Sequence, residues 1–570
     1  MQSSSQRRAF FMMMKNTITI LLIFVTNLFW SQTYQITYQK YYHDQLTEPE
    51  NPIVLFTSAS ETILTTKLTL EKKAAFPFEQ AIINRKQNHV TQLAFLKDKR
   101  IIQTIDSTSI NNQKFELINE FKTILGYSCQ KAKTIINSNT IEVWFTKNPT
   151  VKGAPTLLGQ DLGLVLEMNR NGNFIIKAEK MEKIKKIPFD VTLPSIPQFN
   201  AIDYKDLLWK SRFLTFSIFE NETIRFADNA VSNDSILRFA NGTVILKKIK
   251  FPLLDINSNV FIQLKTHSNG DAYDRTGSVF LVPNDGKKSF LKGFIEGVST
   301  LPIFENGNGK KYQGIRLEKD FLPITELMRF FTPFGIQQYN HIVLKDKNWL
   351  NEVVYRQDIT DLLSTFNNQE VWIGTFIGNY DKGGHKVALE ITAHSGENSA
   401  KIASNQFALP LFNTTNVLEM AGQEYGTLFS DPKGLTVHFT LDKPLQNAKL
   451  RYITTGHGGW ENGDEFVPKK NTISIDGKEW FSFVPWRQDC GSYRLYNPAS
   501  GNFANGLSSS DYSRSNWCPG TVTNPVNIDL GNLEAGNHTI TIQIPQGLPE
   551  GTSFSAWNVS GILLGESKIE

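Results

Sequence analysis

The chain has 570 residues, 20% of them charged, with a net charge of +4 and no dense Lys/Arg run, a balance that argues against an electrostatic nucleic-acid binder. Three cysteines allow one disulfide with one thiol left over. The nine histidines contain no His-x-His or His-x-x-x-His pair, so the usual ligand spacing of a metal hydrolase or copper enzyme is missing, and no Gly-x-Ser-x-Gly elbow marks a serine hydrolase.

At the start, Arg7, Arg8 and Lys15 precede an apolar run from Ile18 to Trp30, and Ser31 stands before Gln32. This is the pattern of a cleaved secretory signal over residues 1–32. The run of about 13 residues is short against the roughly 20 that a membrane span requires. The mature chain is therefore expected to be secreted or periplasmic, off the membrane, and monomeric. About 540 residues remain, enough for about three domains.

Residues 33–187 alternate β runs, such as Ile141–Thr146 and Phe174–Lys177, with polar turns, and are read as a β-rich accessory domain. Cys129 follows a β run and is expected to be a buried apolar thiol rather than a nucleophile. Ile124–Ala132 and Gly159–Glu167 loosely resemble the family named for its Gly-Leu-Pro-Gly-Leu-Ile motif, with Gln160-Asp161 where that motif has Leu-Pro. That family carries no activity to transfer. Pro188, Pro194 and Pro197 make residues 188–200 a linker, and Ala201–Lys210 reads as a short amphipathic piece.

Short β runs at hairpin spacing then fill residues 201–393 and again 394–570, with long helical periodicity absent. The fold class expected is all-β, two adjacent antiparallel jelly-roll sandwiches preceded by the β-rich N-terminal domain. Asp358–Phe366 is the expected helical turn.

In the second sandwich a β run from Leu450 to Thr454 feeds a loop holding Gly456, Gly458, Gly459 and Gly463, and Thr472–Ile475 leaves it. Glu465 is thus expected on a loop edge. Glycine-dense backbone approaches a ligand closely, while His457, Trp460, Glu465 and Trp517 offer stacking faces and a carboxylate, the mixture a sugar site needs. The plainer alternative is a glycine-rich turn and nothing more.

The order of Gly456-His-Gly458, Asp464-Glu-Phe466, Thr472-Ile-Ser-Ile475 and Asp511-x-x-Arg514-x-x-Trp517-Cys-Pro-Gly520 resembles the second domain of the peptide-N-glycosidase F family. These are bacterial amidases that remove whole N-glycans from asparagine. Between the runs Phe261–Lys265 and Ser278–Val282, the loop Asn269–Arg275 is similar to the family's Cys-Asp-Glu-Trp-Asp-Arg segment. Arg329-Phe-Phe-Thr-Pro333 and Asp358-Ile-Thr-Asp-Leu-Leu363 follow in the family's order.

The resemblance implies an amidase without cofactor or metal, acting on N-linked glycoproteins and glycopeptides. Asp274 is the implied catalytic base and Glu465 its partner acid, positioning the asparagine amide. Arg275 and Arg514 are the implied hydrogen-bond donors to sugar and amide, and Trp517 a stacking ring. Trp460 is added from its own position in the loop. His457 stands where the family has tryptophan, and Cys490 and Cys518 correspond to a family disulfide. Each has a bland rival: a turn cap for Asp274, a surface ion pair for Arg514, core packing for Trp517.

Phe376 and Gly378 occupy places where the family carries a further Glu and a Trp, which implies a wider pocket at the core-sugar end, with altered tolerance for decoration such as core fucose. A secreted glycan-binding protein, or a glycosidase using the same two carboxylates, is the competing class.

Overall fold

The computed structural model describes residues 32–567 except 111, 186, 188–194, 284–287, 340–342, 396–404, 459–461, 499–507 and 550–552. The expected signal segment and most of the Pro-rich linker lie outside the described residues. The chain divides after Arg212 into two compact units. Among the described residues no helix is long and apolar enough to cross a membrane.

The first unit is one antiparallel sheet of 12 strands. Its opening strand, Thr33–Tyr42, lies in the middle, paired with Ile53–Thr57 on one side and Phe174–Ile184 on the other. The sheet ends at Ile101–Asp106 and at Glu116–Ile124. Ile36, Tyr38, Leu55, Val143 and Leu166 form its core, joined by Val151 and Ala154 from a loop folded over that face. Cys129 is a free thiol inside this core, and burial pushes it up to about 11, which leaves it protonated and inert.

Asn200 caps the helix Ala201–Lys210 by accepting from the amides of Ile202 and Asp203. Tyr204 and Leu208 then pack with Ala94, Leu96 and Ile102. The helix thus belongs with the first unit, whereas the boundary expected at residue 201 placed it with the sandwich that follows.

The second unit holds two sandwiches. In the first, the sheet of Leu214–Ile224, His385–His394, Asn259–Ser268 and Val353–Asp358 faces a sheet of six strands centred on Glu370–Ile377 and Thr276–Val282. The alternation that marks these strands is visible in Asn259–Ser268, where Val260, Ile262 and Leu264 point into the core and Phe261, Gln263 and Lys265 do not. In the second, Asn405–Asn413, Ala556–Ser567, Leu445–His457 and Val526–Leu533 face Leu435–Leu441, Gly536–Gln543, Asn471–Ile475 and Lys478–Phe483. A 3₁₀ turn at Thr360–Thr365 supplies the helical piece expected there.

Two features join the sandwiches. Val522–Thr523, contributed by the second half of the chain, adds an edge strand to the first sandwich through Arg329 and Phe330. Beside it lies a buried polar knot. Glu326 and Arg329 are fully buried and paired at 2.8 Å, and Glu326 also accepts from Ser278 of the first sandwich and Ser560 of the second. Arg451, 1% exposed, donates to the carbonyls of Glu326 and Leu327 from the second sandwich.

Removing one partner of a buried pair strands the other charge, at a cost of about 3–5 kcal/mol. Arg329→Leu is therefore expected to destabilise the second unit by about that amount, measured as a lowered denaturant midpoint at constant slope. An unchanged midpoint would show that the knot contributes nothing to docking of the two lobes.

Candidate functional site

The loop between Asn259–Ser268 and Thr276–Val282 is shaped by its own polar groups. Ser268 Oγ donates to the Asp271 carbonyl at 2.5 Å, and Asp271 Oδ1 accepts from the Tyr273 amide at 3.1 Å. Asp271 also accepts from Arg275 Nε and Nη2 at 2.8 and 3.0 Å and faces His385 Nε2 at 3.4 Å. Burial alone would raise the Asp271 carboxyl, but His385 and Arg275 hold it below the usual carboxylate range.

This clamp fixes Arg275, whose guanidinium carbon lies 5.3 Å from the Tyr273 ring centre and 5.7 Å from that of Tyr380. Both rings are exposed, 53% and 56%, and Tyr380 is further tied by donating to Glu419 at 2.8 Å. Asp274 sits between Tyr273 and Arg275 in the chain, its side chain only 14% exposed.

In the other loop the adjacent acids separate. Asp464 is buried and saturated, accepting from Trp557 Nε1 at 2.7 Å and from the Gly547 amide at 3.0 Å. Glu465 instead faces the cleft. The loop closes over glycine: Gly458 has φ +77°, and a Cβ there would meet the Phe554 carbonyl at 2.0 Å.

Arg514 joins the two loops. Its Nη1 donates to Glu465 Oε1 and lies 3.1 Å from Asp274 Oδ2, and its Nη2 donates to the Ser509 carbonyl at 2.5 Å. One nitrogen therefore meets carboxylates from both sandwiches. Asp274 Oδ2 is buried and sits against the Arg514 cation. Burial pushes Glu465 up to about 7, with Arg514 opposing and the Asp274 charge assisting. The arrangement offers a base, a second acid that titrates near neutrality, and fixed cationic donors. Among the described residues no group of three or more His, Cys, Asp or Glu is placed to hold a metal ion.

The expected residues do not all play the expected part. Trp517 is 4% exposed, its ring centre 4.3 Å from Phe331 and 4.2 Å from the Arg514 guanidinium, and its Nε1 donates to the Gly456 carbonyl at 2.9 Å. It braces Arg514 and presents no free face to a sugar, which corrects the stacking role. Cys490 and Cys518 form the expected disulfide one residue further on. His457 is half-buried against Trp517 and Phe331. Trp460 lies outside the described residues.

Phe376 is buried in a core cluster with Leu246, Phe280 and Phe294, so the side chain at that position fills the sandwich and not the cleft. Tyr380, a short step along the chain, is the exposed ring beside Arg275. Sequence reasoning missed it, along with Asp271 and His385; only the spacing of Asp271 and Arg275 in one loop hinted at their pairing.

Three family models match the chain: N-glycanase peptide, N-terminal domain, over residues 36–206; Peptide-N-glycosidase F, N terminal, over 215–393; and Peptide-N-glycosidase F, C terminal, over 424–564. The segment read as similar to the Gly-Leu-Pro-Gly-Leu-Ile proteins thus matches an N-glycanase domain. Two solved structures of PNGF-II, in space groups C2 and P21, are each 54% identical to this chain. They cover 95% of it and 99% and 100% of their own length, with TM-scores of 0.88 and 0.89. A structure described as PNGase F, a glycosylasparaginase from Flavobacterium meningosepticum, is 15% identical, covers 63% of this chain and 96% of its own, and has a TM-score of 0.40. No curated protein matches.

Two measurements probe the site. The folded chain holds the Glu465 proton up to about 7, whereas an unfolded carboxyl releases it near 4.5. Stability therefore falls as pH rises through that window, and Glu465→Gln, with no proton to lose, should show a smaller fall between pH 5 and pH 8 in denaturant titrations. Equal falls in both proteins would refute the shifted carboxyl. Cys490→Ser with Cys518→Ser opens a closure of 28 residues and should cost about 3–4 kcal/mol of folding free energy in the same titrations.

Proposed function

We infer the reaction from one premise: the chain belongs to the peptide-N-glycosidase F family. The proposed reaction is hydrolysis of the β-amide between an asparagine side chain and the innermost N-acetylglucosamine of an N-glycoprotein or glycopeptide. Water adds to the side-chain carbonyl carbon, the carbon–nitrogen bond breaks, the glycan leaves as a glycosylamine, and aspartate remains. The observation that carries this reading is the meeting of Asp274 and Glu465, from separate sandwiches, at one nitrogen of Arg514.

Asp274, held beside the Arg514 cation, takes a proton from the attacking water. Glu465 orients the asparagine amide, and its carboxyl, titrating near neutrality, is suited to share a proton with the departing nitrogen. Arg514 offsets charge that develops on the amide oxygen. Arg275, held by Asp271, donates to the core sugars, and Tyr273 and Tyr380 present exposed ring faces beside it. Tyr380, tied to Glu419 before substrate arrives, loses little side-chain entropy on binding.

The disulfide supports a chain that matures in an oxidising compartment, in keeping with residues 1–32 acting as a cleaved export signal. The first unit is proposed as an accessory domain, and the enzyme as a monomer that needs no cofactor.

A glycopeptide incubated with the protein should gain about one dalton at its asparagine as the glycan departs; a lectin leaves the mass unchanged and a glycosidase leaves sugar on the peptide. Asp274→Asn should abolish release with the fold retained by circular dichroism, and retained release would remove Asp274 from its role. Tyr380→Ala should raise KM about tenfold with little change in kcat, the loss of one ring–sugar contact.

A further inference from the structure

Arg329 stays protonated at any accessible pH, so its five N–H groups are donors only. Each has an acceptor. Nε donates to Glu326 Oε1 at 3.0 Å, Nη2 to Glu326 Oε2 and Thr415 Oγ1 at 2.8 Å, and Nη1 to the Asn558 carbonyl at 2.5 Å and to Thr455 Oγ1 at 3.1 Å. Thr455 is fully buried and so must accept from Arg329.

The hydroxyl hydrogen of Thr455 then needs an acceptor of its own. Among the described residues the group within reach is Nε2 of His457, at 2.8 Å, two positions along the same face of the strand. If Nε2 carried a hydrogen it would donate to Thr455 Oγ1, and the buried hydroxyl hydrogen would be left without an acceptor, at a cost of about 1–3 kcal/mol. Nε2 is therefore bare, and a neutral ring carries its hydrogen on Nδ1.

The ring is held neutral. Burial and the nearby charges of Arg329 and Arg514 push its imidazole down to about 3. Nδ1 has no hydrogen-bond partner among the described residues, and the ring as a whole is only half-buried. The ring lies against Trp517, whose other neighbour is the Arg514 guanidinium that holds Asp274 and Glu465.

We propose that Thr455, oriented by Arg329, is a positioning residue that fixes His457 as its Nδ1–H tautomer, and that this N–H donates to an acceptor oxygen of the core amino sugar. The binding half of the proposal rests on the function inferred above. Its polarity is specific: a donor with no lone pair at that edge accepts a carbonyl or ether oxygen and gives nothing to a second donor. The lock also spans the sandwiches, since Arg329 belongs to the first and Thr455 with His457 to the second.

The test uses the full chain with ¹⁵N-labelled histidine and long-range ¹H–¹⁵N spectra, the His457 signal being assigned by its loss in His457→Asn. The wild type should show a single Nδ1–H pattern, unchanged between pH 5 and pH 8; an Nε2–H pattern or a titrating ring overturns the lock. Thr455→Val should convert His457 to Nε2–H or a mixture and raise KM for glycopeptide about tenfold, kcat changing less, while Thr455→Ser restores both readings. Converted tautomer with unchanged KM overturns the binding role. His457→Asn keeps an N–H near the Nδ1 position and should raise KM less than His457→Gln does; equal effects overturn the assigned edge. Absence of glycan release by the wild type would strike the reaction itself, while the spectrum reads the tautomer independently of turnover.

Discussion

The bridge that Arg514 makes between Asp274 and Glu465 is the constraint on which the rest of the second unit depends. Two carboxylates held near each other away from bulk water repel, and one is driven toward its protonated form. A guanidinium between them relieves the repulsion without abolishing it, and Glu465 stays raised to about 7. That balance is lost if any of the three groups shifts, and each arrives on a different loop. The surroundings of Arg514 accordingly resist movement: Trp517 and Phe331 stack beneath it, a disulfide closes the segment that carries it, and backbone bonds with Arg487 fix its main chain.

The same logic sets the proton inventory of the cleft. The guanidinium groups of Arg275, Arg329 and Arg514 are each anchored by an acid. His457, desolvated among them, is denied a charge and becomes a neutral hydrogen-bonding group. The groups that titrate are thereby reduced to carboxylates, and burial decides which of them does so near neutrality.

Much of this was legible in the chain. Alternation in runs such as Phe261–Lys265 gave the strands away, and the order of Asp274, Glu465 and Arg514, shared with a known family, pointed to the acids and their cation. What stayed hidden depends on contacts from far along the sequence. Asp464 and Glu465 are neighbours of like chemistry, and Trp557 and Gly547, near the other end of the domain, determine which is buried. Trp517 looked like a free ring because Phe331, which covers it, comes from the other sandwich. The helix at Ala201–Lys210 was visible by its periodicity, but two buried side chains cannot announce which neighbour they will pack against. Tyr380 carried no local signal, since an exposed tyrosine is ordinary until an arginine is found beside it.

The strand Val522–Thr523 lies four residues past the disulfide and hydrogen-bonds along the margin of the opposite lobe. The segment bearing Arg514 is thus stitched into the lobe whose acid it neutralises, and hinge-like gaping of the two lobes would tear a ladder of main-chain bonds. Severing the polypeptide between the lobes would also bare a hydrogen-bonding margin at residues 329–331, an invitation to self-association that the intact chain avoids by covering it with its own thread.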